Sequence, residues 1–266
     1  MRSEDTGSTW DWPSSQACVL RRYGSTSMAR YPRSSGPPPP PLPPVARTVG
    51  QLVAEALKVF GANLWKAVLV GVPAAAVNVV ATELSRLGAL VFVLAAGSVL
   101  LTASFLLACS IVHGVPLWSR AAAIAFLTGV IVFLPFPFLA SVFILPGLVW
   151  LAFVGLAIPA ALVERLGVVS ARRRGVELAR ADYAHALGGL APLTILVFVT
   201  QGAVFFLLRE YADNSQRVAA TLAYVVIAPV LFLGAAILYT DQAARVGTTR
   251  EERDALRRSA IGGRGA

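Results

Sequence analysis

The chain has 266 residues, of which 56% are hydrophobic and 14% charged, with a formal net charge of +9 and a mean hydropathy of +0.69. A soluble domain carries about 25% charged residues, so this composition excludes an ordinary water-soluble protein. Disorder and collagen are excluded by the apolar content and the aperiodic glycines. The two cysteines, Cys18 and Cys109, are too few for a disulfide framework.

Residues 1–45 differ from the rest. The run Gly36-Pro37-Pro38-Pro39-Pro40-Pro41-Leu42-Pro43-Pro44 fixes φ and removes backbone donors, so neither helix nor sheet can form there. It reads as a polyproline II spacer within a disordered Pro/Ser-rich cytoplasmic tail. The alternative use is as a ligand for SH3- or WW-like modules. No apolar stretch of secretory-signal length follows the early arginines. Residues 1–27 lack periodicity, and Met28 offers an alternative start. That stretch is read as an over-extended gene start.

Thr48 followed by Gln51 has the form of a capping box. Behind it Leu52, Ala56, Val59 and Phe60 recur at helical spacing, while Glu55 and Lys58 take other faces. This predicts an amphipathic helix over residues 48–61. Six apolar spans follow, at about 64–82, 87–112, 121–141, 146–163, 187–208 and 218–239. A span needs about 20 residues to cross hydrocarbon. The charge-free stretch from Ala121 to Val163 would make about 65 Å of helix, so it must fold back. Pro135, Pro137 and Pro146-Gly147 place the hairpin apex between Leu134 and Pro146, with Pro146 opening the second arm. A second amphipathic helix is predicted from Ser170, as N-cap, to Tyr183. Residues 243–266 read as a basic cytoplasmic tail.

The class is therefore all-α: six transmembrane helices in a membrane domain over residues 46–242, with two cytoplasmic interfacial helices. The runs are continuous rather than alternating, which favours helices over a barrel. Threaded six times, the chain places 20 Lys and Arg on one side and 3 on the other. The positive-inside rule then puts both termini in the cytoplasm. The Ala-, Val-, Leu- and Arg-rich usage suggests a bacterial plasma membrane. The arginines are accounted for by this rule, so the high pI of about 10.4 does not call for nucleic acid.

The two amphipathic segments echo one another at an offset of 119. Leu64 aligns with Tyr183, Lys66 with His185, Ala67 with Ala186 and Pro73 with Pro192. The pattern reads as a helix plus a two-span hairpin used twice, in parallel orientation, or as an accident of shared composition.

No catalytic, cofactor-binding or metal pattern is visible. His113 and His185 lack partners at ligand spacing, and Cys109 reads as a small core hydrophobe. The spans carry no acid at their centres, where transporters and proton relays keep theirs. Asn78, Thr200 and Gln201 are the candidate intramembrane polar site. They serve either interhelical hydrogen bonds or a polar pathway. Pro73, Pro159, Pro192 and Pro229 are expected to kink their spans. Ala95-Ala96-Gly97-Ser98 and Gly188-Gly189 are expected to allow close helix contact. Arg172, Arg173, Arg174 and Arg180 are the candidate contacts for anionic lipid.

From Ala157 to Tyr183 a proline-containing span is followed by an acid, a small-residue turn and a helix with paired arginines before a Leu and an aromatic. Pro159, Glu164, Arg172-Arg173, Leu178 and Tyr183 carry the pattern. It resembles the membrane-domain superfamily attached to some glycerophosphoryl diester phosphodiesterases, which also has stand-alone members. The segment Arg47 to Ala56 looks like that family's N-terminal amphipathic helix. The resemblance covers about residues 46–242. It implies a membrane module and no catalysis, since the chain has no room for the soluble phosphodiesterase barrel. Two functions follow as expectations. One is a non-enzymatic membrane module that binds lipid or a membrane partner protein, including a second copy. The other is a small-molecule or lipid transporter with a cavity between proline-kinked helices. A membrane enzyme acting on lipids is a third, weaker reading.

Overall fold

The computed structural model describes residues 47–142, 144–211 and 213–262. The proline run and the alternative start at Met28 lie outside them. The described residues hold helices and turns and no strand. In order these are α1 (Val49–Ala62), α2 (Leu64–Glu83), α3 (Arg86–Phe92), a π-helical turn (Val93–Gly97), α4 (Ser98–His113), α5 (Arg120–Phe133), α6 (Phe136–Val142), α7 (Ile144–Val154), α8 (Ala157–Val163), α9 (Val168–Ala181), α10 (Tyr183–Leu207) and α11 (Asp213–Gly262). Six stretches are long and apolar enough to cross a membrane: Leu64–Glu83, Arg86–His113, Arg120–Leu139, Leu145–Val163, Tyr183–Leu207 and Asn214–Gly247. Their outward faces carry Leu69, Leu87, Ile195, Phe205 and Leu222, all well exposed. An apolar surface of this kind suits lipid and not water.

Several boundaries differ from the sequence reading. Ser170 is not an N-cap. Gly167 takes the extended cap conformation (φ −69°, ψ 161°), so α9 starts three residues earlier than a cap at Ser170 would place it. The turn before it includes Arg165 at φ 54°, in the left-handed region that few side chains enter. The hairpin apex contains α6, and α7 begins before Pro146, leaving that proline in a first turn that tolerates it. The tail read over residues 243–266 continues α11 as helix to Gly262.

The prolines divide into two kinds. Pro73, Pro192 and Pro229 sit inside continuous helices. Pro159 coincides with a break. Without an amide proton it cannot bond the carbonyl of Gly155, which instead accepts from Ile158 N at 3.2 Å, and the span restarts as α8. The small-residue patch at 95–98 forms part of the π turn. There Ser98 Oγ donates to Leu94 O at 2.8 Å.

α11 is the hub, in contact with α1, α2, α4, α9 and α10. It meets α2 where Gly71 lies so close that an added Cβ would stand 2.0 Å from the carbonyl oxygen of Val225. Leu193 of α10 fills the space over Gly234. On α9, a Cβ at Gly175 would meet the backbone of Ala157 at 2.6 Å. The Gly188-Gly189 patch has wider clearances, 3.3 Å or more.

The echo at offset 119 extends to the helix bounds. α1 maps onto α9 and the start of α2 onto that of α10, each pair joined by a single residue, Asn63 or Asp182. Burial follows the same register. Leu52 and Ala56 map onto Ala171 and Gly175, and Ala67, Val70, Gly71, Ala74 and Ala75 map onto Ala186, Gly189, Leu190, Leu193 and Thr194, all buried.

Gly71→Ala is expected to destabilise the bundle by about 1–3 kcal/mol through overpacking. Gly61, with nothing within 4 Å of a built Cβ, is expected to gain up to about 1 kcal/mol as Ala from helix propensity. Tm values in detergent for the two variants check this, and equal values would contradict the close α2–α11 approach.

Candidate functional site

Two features stand out, one at each level of the bundle. The first is a charged rim at the arginine-rich end. Asp182, the single residue between α9 and α10, accepts from His185 N at 3.0 Å and so caps α10. Its second oxygen takes Arg245 at 2.7 Å, and its carbonyl takes Gln242 Nε2 at 3.0 Å. One turn along, Asp241 is fully buried and meets Arg47 at 2.6 Å. His185 Nε2 stands 3.9 Å from Asp241 Oδ2, too far for a hydrogen bond. On the opposite side of α11, Tyr239 donates to Glu164 at 2.9 Å, and His113 packs edge-on against its ring. Glu164 also accepts from Arg174 Nε at 3.0 and 3.1 Å, and Arg174 reaches Glu177 at 3.0 Å. Burial opposes the charge on Arg174, but the two carboxylates outweigh it and hold its pKa above the ordinary value. A buried carboxylate is tolerated only when paired in this way. Among the described residues no cluster of His, Cys, Asp and Glu could hold a metal ion. The chemistry of the rim is to tie α1, α8, α9 and α10 to the last helix.

The second feature is a cavity of about 450 Å³ between α2, α4, α5, α7, α10 and α11. Its wall is chiefly apolar. Phe105 is its aromatic centre, 6.3 Å from Phe133 and 6.2 Å from Phe232, ring to ring. Gly155, at the break in the fourth span, forms part of the wall, and so do the polar residues Asn78, Thr194, Gln201 and Tyr224. Thr194 donates to its own helix at Leu190 O, 3.0 Å away. Gln201 Nε2 is buried with no hydrogen-bond partner.

The sequence-derived candidates distribute as follows. Asn78 and Gln201 share the cavity wall, while Thr200 is not part of it and donates to Leu196 O at 2.8 Å. Of the four arginines, Arg172, Arg173 and Arg180 are exposed and Arg174 is partly buried in its ion pairs. The Arg180 guanidinium lies 5.9 Å from the ring centre of Phe153, within cation–π range. Sequence reasoning missed Arg47, Glu164, Asp182, Asp241 and Arg245 as partners, and Tyr224 as cavity wall. The signal for the first five was available. They are opposite charges at the ends of spans on one side, and a count of Lys and Arg alone passes over the acids.

Compared with known proteins, the chain matches no family model, no curated protein and no solved structure.

Arg47→Ala strands Asp241 without its nearest partner and is expected to cost about 3–5 kcal/mol. Asp241→Asn in the same chain is expected to recover a large part of that loss. Thermal unfolding of the two single variants and the double variant checks this, and strict additivity would contradict the pair.

Proposed function

We propose that this protein is a non-enzymatic integral membrane module whose arginine-rich end faces the cytoplasm and binds anionic lipid headgroups. The observation that carries the reading is the division of labour on α9. The helix buries Ala171, Gly175, Leu178 and Ala179 against the bundle and leaves Arg172 and Arg173 exposed. Neither arginine forms an ion pair among the described residues. Basic side chains at a membrane edge attract anionic lipid by about 1 kcal/mol each. Trp65 and Trp118, both strongly exposed near span ends, suit the same interface. The likeness to the membrane domain of glycerophosphoryl diester phosphodiesterases supports a module without catalysis of its own. α1 is the counterpart of α9 in the repeat. Like α9, it buries its inner residues, Leu52 and Ala56, within the protein.

The cavity favours a second reading, a carrier for a lipid or small molecule. That reading is the weaker of the two. The cavity wall holds no charged side chain, and the ion pairs lie at the bundle ends.

Arg172→Gln combined with Arg173→Gln is expected to lower retention of phosphatidylglycerol or cardiolipin by about tenfold or more, read by native mass spectrometry of the purified protein. Unchanged retention would overturn the lipid role. A reporter fused after residue 266 is expected to score as cytoplasmic, and an external score would reverse the orientation.

A further inference from the structure

We infer that the interhelical cavity is a binding site for one acyl chain of a bilayer glycerolipid, held with its ester carbonyl at Asn78 and Gln201. The inference rests on the membrane-spanning reading but not on the arginine face. Three observations carry it.

The first is shape. Along α10 the wall runs from Gln201 to Leu190, and along α11 from Tyr224 to Leu238. At 1.5 Å per residue these stretches measure about 17 and 21 Å, more than half of a hydrocarbon core of about 30 Å. The cavity is therefore elongated along the spans, with the proportions of a chain rather than of a compact solute. Its volume of about 450 Å³ falls within the ordinary range of ligand sites, about 300–1,000 Å³.

The second is the placement of polarity. At the arginine-poor end Glu83 pairs with Arg217, and Gln216 donates to the carbonyl of Phe205. These contacts mark the rim of that end. Asn78 lies five residues below Glu83 and Gln201 four below Phe205, so both sit about 6–8 Å beneath the rim. Tyr224 lies a turn deeper. Past Thr194, whose hydroxyl is spent on its own helix, the lining side chains are apolar. A polar mouth near an interface over an apolar shaft matches the join between a lipid's ester and its tail. The unpartnered Gln201 Nε2 is a hydrogen-bond donor, and an ester carbonyl is the acceptor a lipid offers at that depth. No charged side chain lines the wall, so the part admitted is neutral.

The third is access. Asn78 is exposed and Phe198 is 58% exposed, though both line the cavity. The mouth therefore opens on the lipid-facing surface, where a tail can enter sideways. In a bilayer the molecules at an entrance on the lipid-facing surface are acyl chains.

The test uses the full chain in vesicles of phosphatidylethanolamine and phosphatidylglycerol containing a phosphatidylcholine with a diazirine on one acyl chain. Irradiation followed by peptide mass spectrometry maps the adducts. Lipid-facing Leu69 and Ile195 are expected to be labelled in intact vesicles. Phe105 and Leu231 are expected to be labelled there too, and also after transfer to detergent before irradiation. Ala235→Phe, which fills the cavity, is expected to remove the Phe105 and Leu231 adducts and leave those at Leu69 and Ile195. Gln201→Leu, which keeps the volume but removes the donor, is expected to lower the detergent-resistant adducts about tenfold. Labelling of Leu69 and Ile195 without Phe105 and Leu231 in the unsubstituted protein would overturn the proposal and leave the membrane reading standing. Absence of all four adducts would overturn both. Cavity adducts that persist in folded Ala235→Phe, or that are unchanged in Gln201→Leu, would overturn the acyl-chain site as placed.

Discussion

A backbone amide that enters hydrocarbon has no water to bond and must find its partner inside the protein. The local features of the spans follow from that demand. Where α3 passes into α4 the chain inserts a π turn rather than leave amides open, and Ser98 bonds the carbonyls that the turn loosens. Where Pro159 removes an amide, Gly155 turns its carbonyl to a nearer donor and the helix restarts. Thr102, Thr128, Thr194 and Thr200 all donate back to their own helices, so few hydroxyls remain for contacts between spans. Cohesion between spans falls to close packing at Gly71, Gly129 and Gly234, to the hydrogen bond from Trp150 Nε1 to Val132 O at 2.8 Å, and to the charges at the bundle ends.

Those charges form one system at the arginine-rich end. α11 presents Tyr239 to Glu164 on one side and Asp241 to Arg47 on the other, and a turn further on it presents Arg245 to Asp182. Each pair joins the last helix to a different earlier element. A single exposed salt bridge contributes little. A fully buried carboxylate such as Asp241 is another matter, because its partner cannot be removed without leaving a charge in an apolar surrounding. The rim therefore fixes how α1 and α9 meet the spans. The cavity wall reaches Leu238, next to the rim's Tyr239, and its polar residues Asn78 and Gln201 lie toward the opposite end.

The class of fold was legible because its signal is long and redundant: six apolar runs, each bounded by charge or proline. The capping box of Thr48 and Gln51 was legible because it is local, and both of its hydrogen bonds form. Asn78 and Gln201 could be picked out by polarity alone, and the fold brings them to one wall. The failures have a common cause, the rotation of about 100° between successive helical residues. Arg172, Arg173 and Arg174 read as one cluster, yet that rotation leaves two exposed and turns the third onto Glu164. Thr200 and Gln201 are adjacent in the chain and face different surroundings for the same reason. Arg47 and Asp241, 194 positions apart, are marked in the sequence only as opposite charges at span ends on one side, and which charge meets which is fixed by the packing of the helices.

That last separation has a bearing on biogenesis. A ribosome adds about 5–20 residues per second, so Arg47 waits about 10–40 s after its own synthesis before Asp241 exists. Through that interval α1 is already made, while the helix that gives its arginine a counter-ion is still to come. The sixth span thus acts as the keystone of the module. A nascent chain that stalls before it lacks Asp241, and with it the ion pair that ties the start of α1 to the last helix.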